Sequence, residues 1–278
     1  MNERRFSIDR EILGHYGENY EERGRLTRRA AGILEFARSR ELILRHLPPP
    51  PNVVSDIGGG PGVYACWLAR EGYEVHLVDP VPLHLQQAAE ASSDQPATPI
   101  ASVSLGDARS LAQGSDSCDS LLLMGPMYHL TNRADRLAAL REAHRVLRPS
   151  GLIFVSAVNR FASLFDGLTK GLIDDPYFYE ILQQGLKDGQ HRNPRGSPEF
   201  FTTAFFHTPE ELEDEISQAG FTIVETTAIQ GPGWMVKDFE VRWSDAPRRR
   251  RLMDLLRTIE HERAAMWTSP HMMAIAKR

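Results

Sequence analysis

Two rhythms of apolar and polar positions alternate along the middle of the chain. Apolar runs of about five residues are followed by longer segments in which apolar residues return every three or four positions, the signatures of buried strands and amphipathic helices. Val53–Ile57 is the first run and Val63–Glu71 the first helix behind it. The pattern then predicts strand Glu74–Asp79, helix Pro82–Ala91, a strand over about Ile100–Leu105 and a strand over Ser120–Met124. Asn132 is placed to cap a helix through Leu147, with Leu137, Leu140, Ala143, His144 and Leu147 on its apolar side, and Leu152–Val158 is the fifth strand. Strands that alternate with helices in this way predict a parallel sheet covered on both faces.

The rhythm differs at the two ends. Residues 1–47 look helical: Ile8, Ile12, Leu13 and Tyr16 share one face, and a second helix is expected over about Leu26–Leu47. Pro48–Pro51 stops that helix and makes a stiff spacer into the first strand. Residues 159–208 carry no clear strand. Short helices are expected over Arg160–Lys170 and Tyr177–Lys187, then a polar loop over Asp188–Pro198, then Phe200, Phe201, Phe205 and Phe206 crowded around Thr202, Thr203 and His207. Roughly fifty residues exceed an ordinary connection, and an insertion here would stand at the carboxyl ends of the strands, where open α/β sheets bind ligands.

The alternation resumes at Thr208-Pro209-Glu210-Glu211, a capping box with proline at the first helical position. A helix to Gly220, a strand over Phe221–Ile229, a turn at Gly231–Trp234, a long helix over Arg248–Trp267 and a strand over His271–Ala276 complete the chain. Four segments follow: a helical piece over 1–47, here termed the lid, a sheet-and-helix core over 48–158, a cap insertion over 159–208, and the return to the core over 209–278.

Composition narrows the partners. The chain is 41% hydrophobic and 25% charged, enough for one sizeable core plus an insertion. A net charge of −5 gives no electrostatic reason to expect nucleic acid, and the basic run Arg248–Arg251 reads as a solvated helix face. The N-terminus is too polar for a signal peptide and no apolar run reaches membrane-spanning length, so a cytoplasmic protein without a membrane partner is expected. The two cysteines, Cys66 and Cys118, fall inside apolar elements and are expected as buried thiols; no cysteine or histidine spacing suggests a metal.

The candidate chemistry centres on Val53–Gly62, VVSDIGGGPG. Glycines between a strand and a helix start let backbone approach a ligand, beside free N–H groups and a partial positive charge. The dinucleotide fingerprint fits poorly, because counting from Gly58 and Gly60 puts Val63 where a small residue is required. The glycines instead alternate as Asp56-x-Gly58-x-Gly60-x-Gly62. Four landmarks follow in order: EVHLVD ending at Asp79, whose geometry Pro80 biases to extended; SVSLGD ending at Asp107, then Ala108; SCDSLLLMGPMYHL, Ser117–Leu130; and LRPSGLIFVSAV, Leu147–Val158.

This ordered set, over roughly residues 50–160, resembles the class I S-adenosylmethionine-dependent methyltransferases of the small-molecule type. The resemblance implies a doubly wound seven-stranded sheet of order 3-2-1-4-5-7-6, with strand 7 antiparallel. It implies S-adenosylmethionine as cofactor and S-adenosylhomocysteine as product. Gly58, Gly60 and Gly62 would lie against the methionine part, with Asp56 orienting the loop or meeting the amino group through water. Asp79 would hold the ribose, Asp107 the adenine amino group with Ala108 beside the ring, and Met124, Gly125 and Pro126 would line the methyl-transfer face. Tyr16 and Tyr20, in the lid, could reach the sulfonium or simply pack in a core. Asp56 could instead cap the turn, and Asp107 could cap a helix over Ala108–Ala112.

Methyl transfer needs alignment and desolvation, and a base only where the acceptor arrives protonated. Tyr128-His129, just past the fourth strand, supplies the first candidate, with His129 either a base or acceptor-positioning group or a histidine bonded to neighbouring backbone; His207, in the aromatic cluster, is the second. The aromatic cap suits a small or mid-sized organic acceptor, a secondary metabolite or a peptide end, methylated on O or N, in a monomer or a homodimer. Met124-Gly125-Pro126-Met127 stands where the nucleic-acid amino methyltransferases carry Asn/Asp-Pro-Pro-Tyr/Phe, which argues against adenine or cytosine as acceptor. Two other readings use the same sheet: a nicotinamide-dependent oxidoreductase, and a non-catalytic S-adenosylmethionine-binding regulatory module.

Overall fold

Strands β1 (Val53–Ile57), β2 (Glu74–Asp79), β3 (Ser102–Leu105), β4 (Cys118–Leu123) and β5 (Leu147–Val158) lie parallel and are joined through helices, except that β3 passes to β4 through turns alone. A two-stranded hairpin, β6 (Gln190–His191) with β7 (Ala204–Phe205), stands apart. Strands β8 (Thr222–Ala228) and β9 (His271–Lys277) return to the main sheet, where β9 runs antiparallel to both β5 and β8. The main sheet is seven-stranded, in the order β3-β2-β1-β4-β5-β9-β8. Counting only its own strands, this is the expected 3-2-1-4-5-7-6. The computed structural model describes Gly14 and residues 22–28, 30–197 and 199–278. Tyr16, Tyr20 and the face formed by Ile8, Ile12 and Leu13 lie outside the described residues.

The period-two alternation of the strands divides the core between two faces. Val54, Leu77, Leu122, Phe154, Met273 and Ile275 pack with the helices Ala30–His46 and Val63–Arg70. Leu121, Leu123, Ile153, Val155, Met272 and Ala274 point the other way, against the helices Arg133–Val146 and Pro209–Gln218. Local signals fix the helix starts: Asn132 Oδ1 accepts from the Ala134 N–H at 2.9 Å, and Thr208 and Glu211 form both bonds of the capping box.

Four elements depart from the sequence expectation. The helix expected over Leu26–Leu47 is divided into a 3₁₀ turn (Glu22–Gly24), one turn of α-helix (Arg25–Arg28) and the helix Ala30–His46. The chain folds back so closely that a Cβ on Gly32 would come within 2.0 Å of the Arg25 carbonyl oxygen. The long helix expected over Arg248–Trp267 ends at Ile259 and restarts at Arg263. Glu260, 4% exposed, turns inward there: its carboxylate accepts from Arg38 and, at 2.6 Å, from Arg45, and its carbonyl accepts from the Ala228 N–H of β8 at 2.8 Å. A carbonyl taken by a strand cannot serve the helix ladder. The insertion does contain strands, the pair β6 and β7. Finally, residues 107–110 form a bridged turn, not a helix, so Asp107 caps no helix over Ala108–Ala112.

Candidate functional site

At the carboxyl ends of β1, β2 and β4 the glycine loop, the two acids and the aromatic turn surround one cavity of about 310 Å³. Gly58 has φ +70, and a Cβ there would come within 2.7 Å of the Pro126 ring. Glycine therefore lets Pro126 press on the loop and brings the one-turn helix Pro126–His129 beside it. Gly60, with φ +55, donates its N–H to Asp79 Oδ2 at 2.8 Å. The other Asp79 oxygen accepts from the Val81 N–H at 2.9 Å and meets His84 Nδ1 at 3.1 Å. Asp79 is 4% exposed, so β2, the loop and the next helix all converge on this carboxylate.

Asp107 stands across the cavity on the turn after β3. The Arg109 guanidinium grips both of its oxygens, Nε to Oδ1 at 2.9 Å and NH2 to Oδ2 at 2.7 Å, and the Arg109 backbone N–H also donates to Oδ1. Arg109 reaches Asp135 Oδ2 with NH1 at 2.9 Å, tying the turn to the helix Arg133–Val146. A carboxylate offers about four lone-pair positions. Asp79 and Asp107 each spend three on the protein and keep one.

Tyr128 and His129 line the opposite wall, with Leu130 and Thr131. Their rings lie 4.5 Å apart between centroids, and Phe201 of the insertion stacks on His129 at 6.2 Å. Phe201 is held through its backbone: its carbonyl accepts from His191 Nε2 at 3.1 Å, and His191 Nδ1 meets Ser163 Oγ at 3.2 Å. Burial pushes the His191 imidazole down to about 4, which fixes it neutral. Gln190 Nε2 donates to the Thr131 carbonyl at 3.0 Å and Arg192 to Thr131 Oγ1 at 3.1 Å, so β6 is latched to the cavity wall.

The remaining sequence candidates stand elsewhere. Asp56 is fully buried and is not part of the cavity wall. It lies under the loop, where a Cβ on Gly59 would come within 2.7 Å of its Oδ2. Burial, then the like charge of Asp79, push its carboxyl up to about 7, against a smaller opposing effect of the Ala65 N–H. Gly62 backs onto Ala88 and Ile100, and Met124 packs against the core; neither lines the cavity, whereas Pro80, Ala108 and Gly125 do. His207 is fully buried and bonded to Glu215 Oε2 at 3.3 Å, beneath the insertion and outside the cavity lining.

Residues 55–155 match the family described as a methyltransferase domain. A protein of Azorhizobium caulinodans named ubiquinone biosynthesis O-methyltransferase is 30% identical over 198 residues, 68% of this chain and 70% of the relative. The chain belongs to the class I S-adenosylmethionine-dependent methyltransferases. A Methylobacterium protein of the same name is 26% identical over 191 residues, 69% of this chain and 66% of its own; the chain thus spans about two thirds of the length of the curated relatives it matches. Among solved structures, a Methanosarcina mazei S-adenosylmethionine-dependent methyltransferase shares the fold at a TM-score of 0.57 and 18% identity, covering 85% of this chain and 96% of that one.

In this methyltransferase cavity backbone is bare of Cβ atoms at Gly58 and Gly60, Asp79 and Asp107 each keep one acceptor position, and the volume is at the low end of a small-molecule site. Sequence reasoning missed Glu22, His84, Arg109, Asp135 and Thr131, which also line it. Only Arg109, two residues after Asp107, and His84, five after Asp79, carried any local signal.

Among the described residues no group of His, Cys, Asp and Glu could hold a metal ion, and no helix is long and apolar enough to cross a membrane.

Proposed function

We propose that this methyltransferase transfers a methyl group to a hydroxyl oxygen of a small, flat organic acceptor, with His129 as the group that receives the proton. The observation that carries this reading is that Tyr128 and His129 line the same cavity as Asp79 and Asp107, under the ring of Phe201. The name shared by the Azorhizobium and Methylobacterium relatives, ubiquinone biosynthesis O-methyltransferase, favours oxygen over nitrogen.

In this reading Asp79 uses its remaining acceptor position for a ribose hydroxyl, Asp107 uses its own for the adenine amino group, and Gly58 and Gly60 leave room for the amino-acid tail. When bound, S-adenosylmethionine supplies an electrophilic methyl group on a sulfonium, a leaving group that needs no acid assistance. The chain's own residues then position the acceptor and exclude water. Tyr128 gives the acceptor aromatic surface, Phe201 backs His129 from the insertion, and the bonds of Gln190 and Arg192 to Thr131 keep the insertion closed over that end. The imidazole of His129 accepts the hydroxyl proton as the new C–O bond forms. Asp56 acts from under the loop on its shape and charge, and His207 acts on the packing beneath the insertion.

The test is release of S-adenosylhomocysteine from S-adenosylmethionine with a panel of phenols, catechols and primary amines. Turnover confined to hydroxylated aromatic acceptors is expected; turnover confined to amines would overturn the assignment to oxygen.

A further inference from the structure

Glu22 enters the cavity wall from outside the sheet, on the 3₁₀ turn that precedes the helix Ala30–His46. One of its oxygens, Oε1, accepts from Arg25 Nε at 2.7 Å, and Arg25 NH1 donates to Glu35 Oε2 at 2.7 Å. Glu35 is 7% exposed and stands 3.7 Å from His271 Nδ1. The Glu22 carboxylate is thus anchored through one oxygen to a buried frame.

Its second oxygen, Oε2, is buried and has no hydrogen-bond partner among the described residues. It stands beside the glycine loop: Glu22 Cγ is 3.9 Å from the place a Cβ on Gly60 would take. A buried acceptor without a donor is costly, so the position suits a donor that arrives with the ligand. Charge points the same way. Two carboxylates, Glu22 and Glu35, face one guanidinium, Arg25, and burial lowers the His271 pKa and so favours its neutral form. Among the described residues this group thus holds two carboxylates to one guanidinium.

We propose that Glu22 Oε2 is the acceptor for the α-ammonium group of the cofactor's amino-acid tail. This rests on the reading of the cavity as the S-adenosylmethionine site and adds a residue to it. It also moves the ammonium contact from Asp56, which is sealed under the loop, to a side chain ahead of the sheet.

Calorimetric titration of the whole protein with two ligands tests it. S-adenosylhomocysteine carries the ammonium, and 5′-methylthioadenosine has the same adenosyl part without the tail. Glu22→Gln keeps the side-chain shape and the oxygen that meets Arg25. It should weaken S-adenosylhomocysteine by roughly 10- to 100-fold while leaving 5′-methylthioadenosine within about twofold. Equal losses for both ligands would mean a disturbed site and overturn the assignment, as would no loss for either. Wild-type protein that binds neither ligand would overturn the cofactor reading along with it, whereas wild-type binding with an insensitive Glu22→Gln variant would overturn this assignment alone.

Discussion

The Phe201 ring lies nearly parallel to the His129 imidazole, centroids 6.2 Å apart and planes 21° from parallel. One residue comes from the insertion and the other from the one-turn helix Pro126–His129 that follows β4, so the stack ties the insertion to the cavity wall at His129. Aromatic pairs of this kind contribute about 0.5–1.5 kcal/mol beyond their burial. Phe201→Ala should raise the acceptor KM by roughly 3- to 10-fold and leave S-adenosylhomocysteine affinity unchanged, as steady-state kinetics and calorimetry would show.

His129 is proposed to take the acceptor proton. His129→Ala should lower kcat by about 10²- to 10⁴-fold on acceptors that arrive protonated, with cofactor affinity preserved. The loss should shrink on an acceptor that is already ionised at the assay pH. Wild-type rates across the pH range would remove His129 from the mechanism.

Asp56 makes stability depend on pH. Its folded pKa of about 7 lies above its ordinary value of 3.8, so between these values the folded state holds a proton that the unfolded state has lost. Stability from this group is therefore present at low pH and falls as pH rises through that window. Asp56→Asn removes the ionisation and should stabilise the protein at pH 8 by on the order of 2–4 kcal/mol, with the gain closing only as the pH falls to about 4 or below. Thermal unfolding of both proteins at the two pH values measures it.

A buried pair supports the insertion from below. Arg136 and Glu215 are each 2% exposed and share bonds of 2.7–3.1 Å, while the Arg136 guanidinium sits 3.7 Å over the Phe205 ring. Burial alone would raise the Glu215 carboxyl, but bonds from His207 and Arg136 outweigh it and hold it at about 2. Arg136 NH1 also donates to the carbonyls of Leu130 and Thr131, in the cavity wall. Arg136→Met should destabilise the fold by about 3–5 kcal/mol by stranding the Glu215 charge. Adding Glu215→Leu should recover much of that loss in denaturant unfolding.

How much of this was legible in the sequence depended on whether the signal was local. Asp79 and Asp107 were readable because an acid ending an apolar run leaves few alternatives, and the glycines because a tight turn needs them. Thr208 with Glu211 announced a helix start within four residues. Glu22 carried no such mark: it is one acid among many polar residues, and only the fold brings it to Gly60. Glu260 split an otherwise unbroken helical pattern because its partners, Arg38 and Arg45, lie more than two hundred residues upstream. His207 looked like a site residue because aromatics surround it, yet those aromatics bury it against Glu215.

The cavity between Asp79 and Asp107 is proposed to hold an adenosyl group, and titration calorimetry with S-adenosylhomocysteine measures that most directly. Wild-type protein should bind one equivalent, and Asp79→Ala should weaken it by roughly 1–3 kcal/mol, the range for a lost hydrogen bond to a charged group. No binding by the wild type, or equal binding by the Asp79→Ala variant, would contradict it.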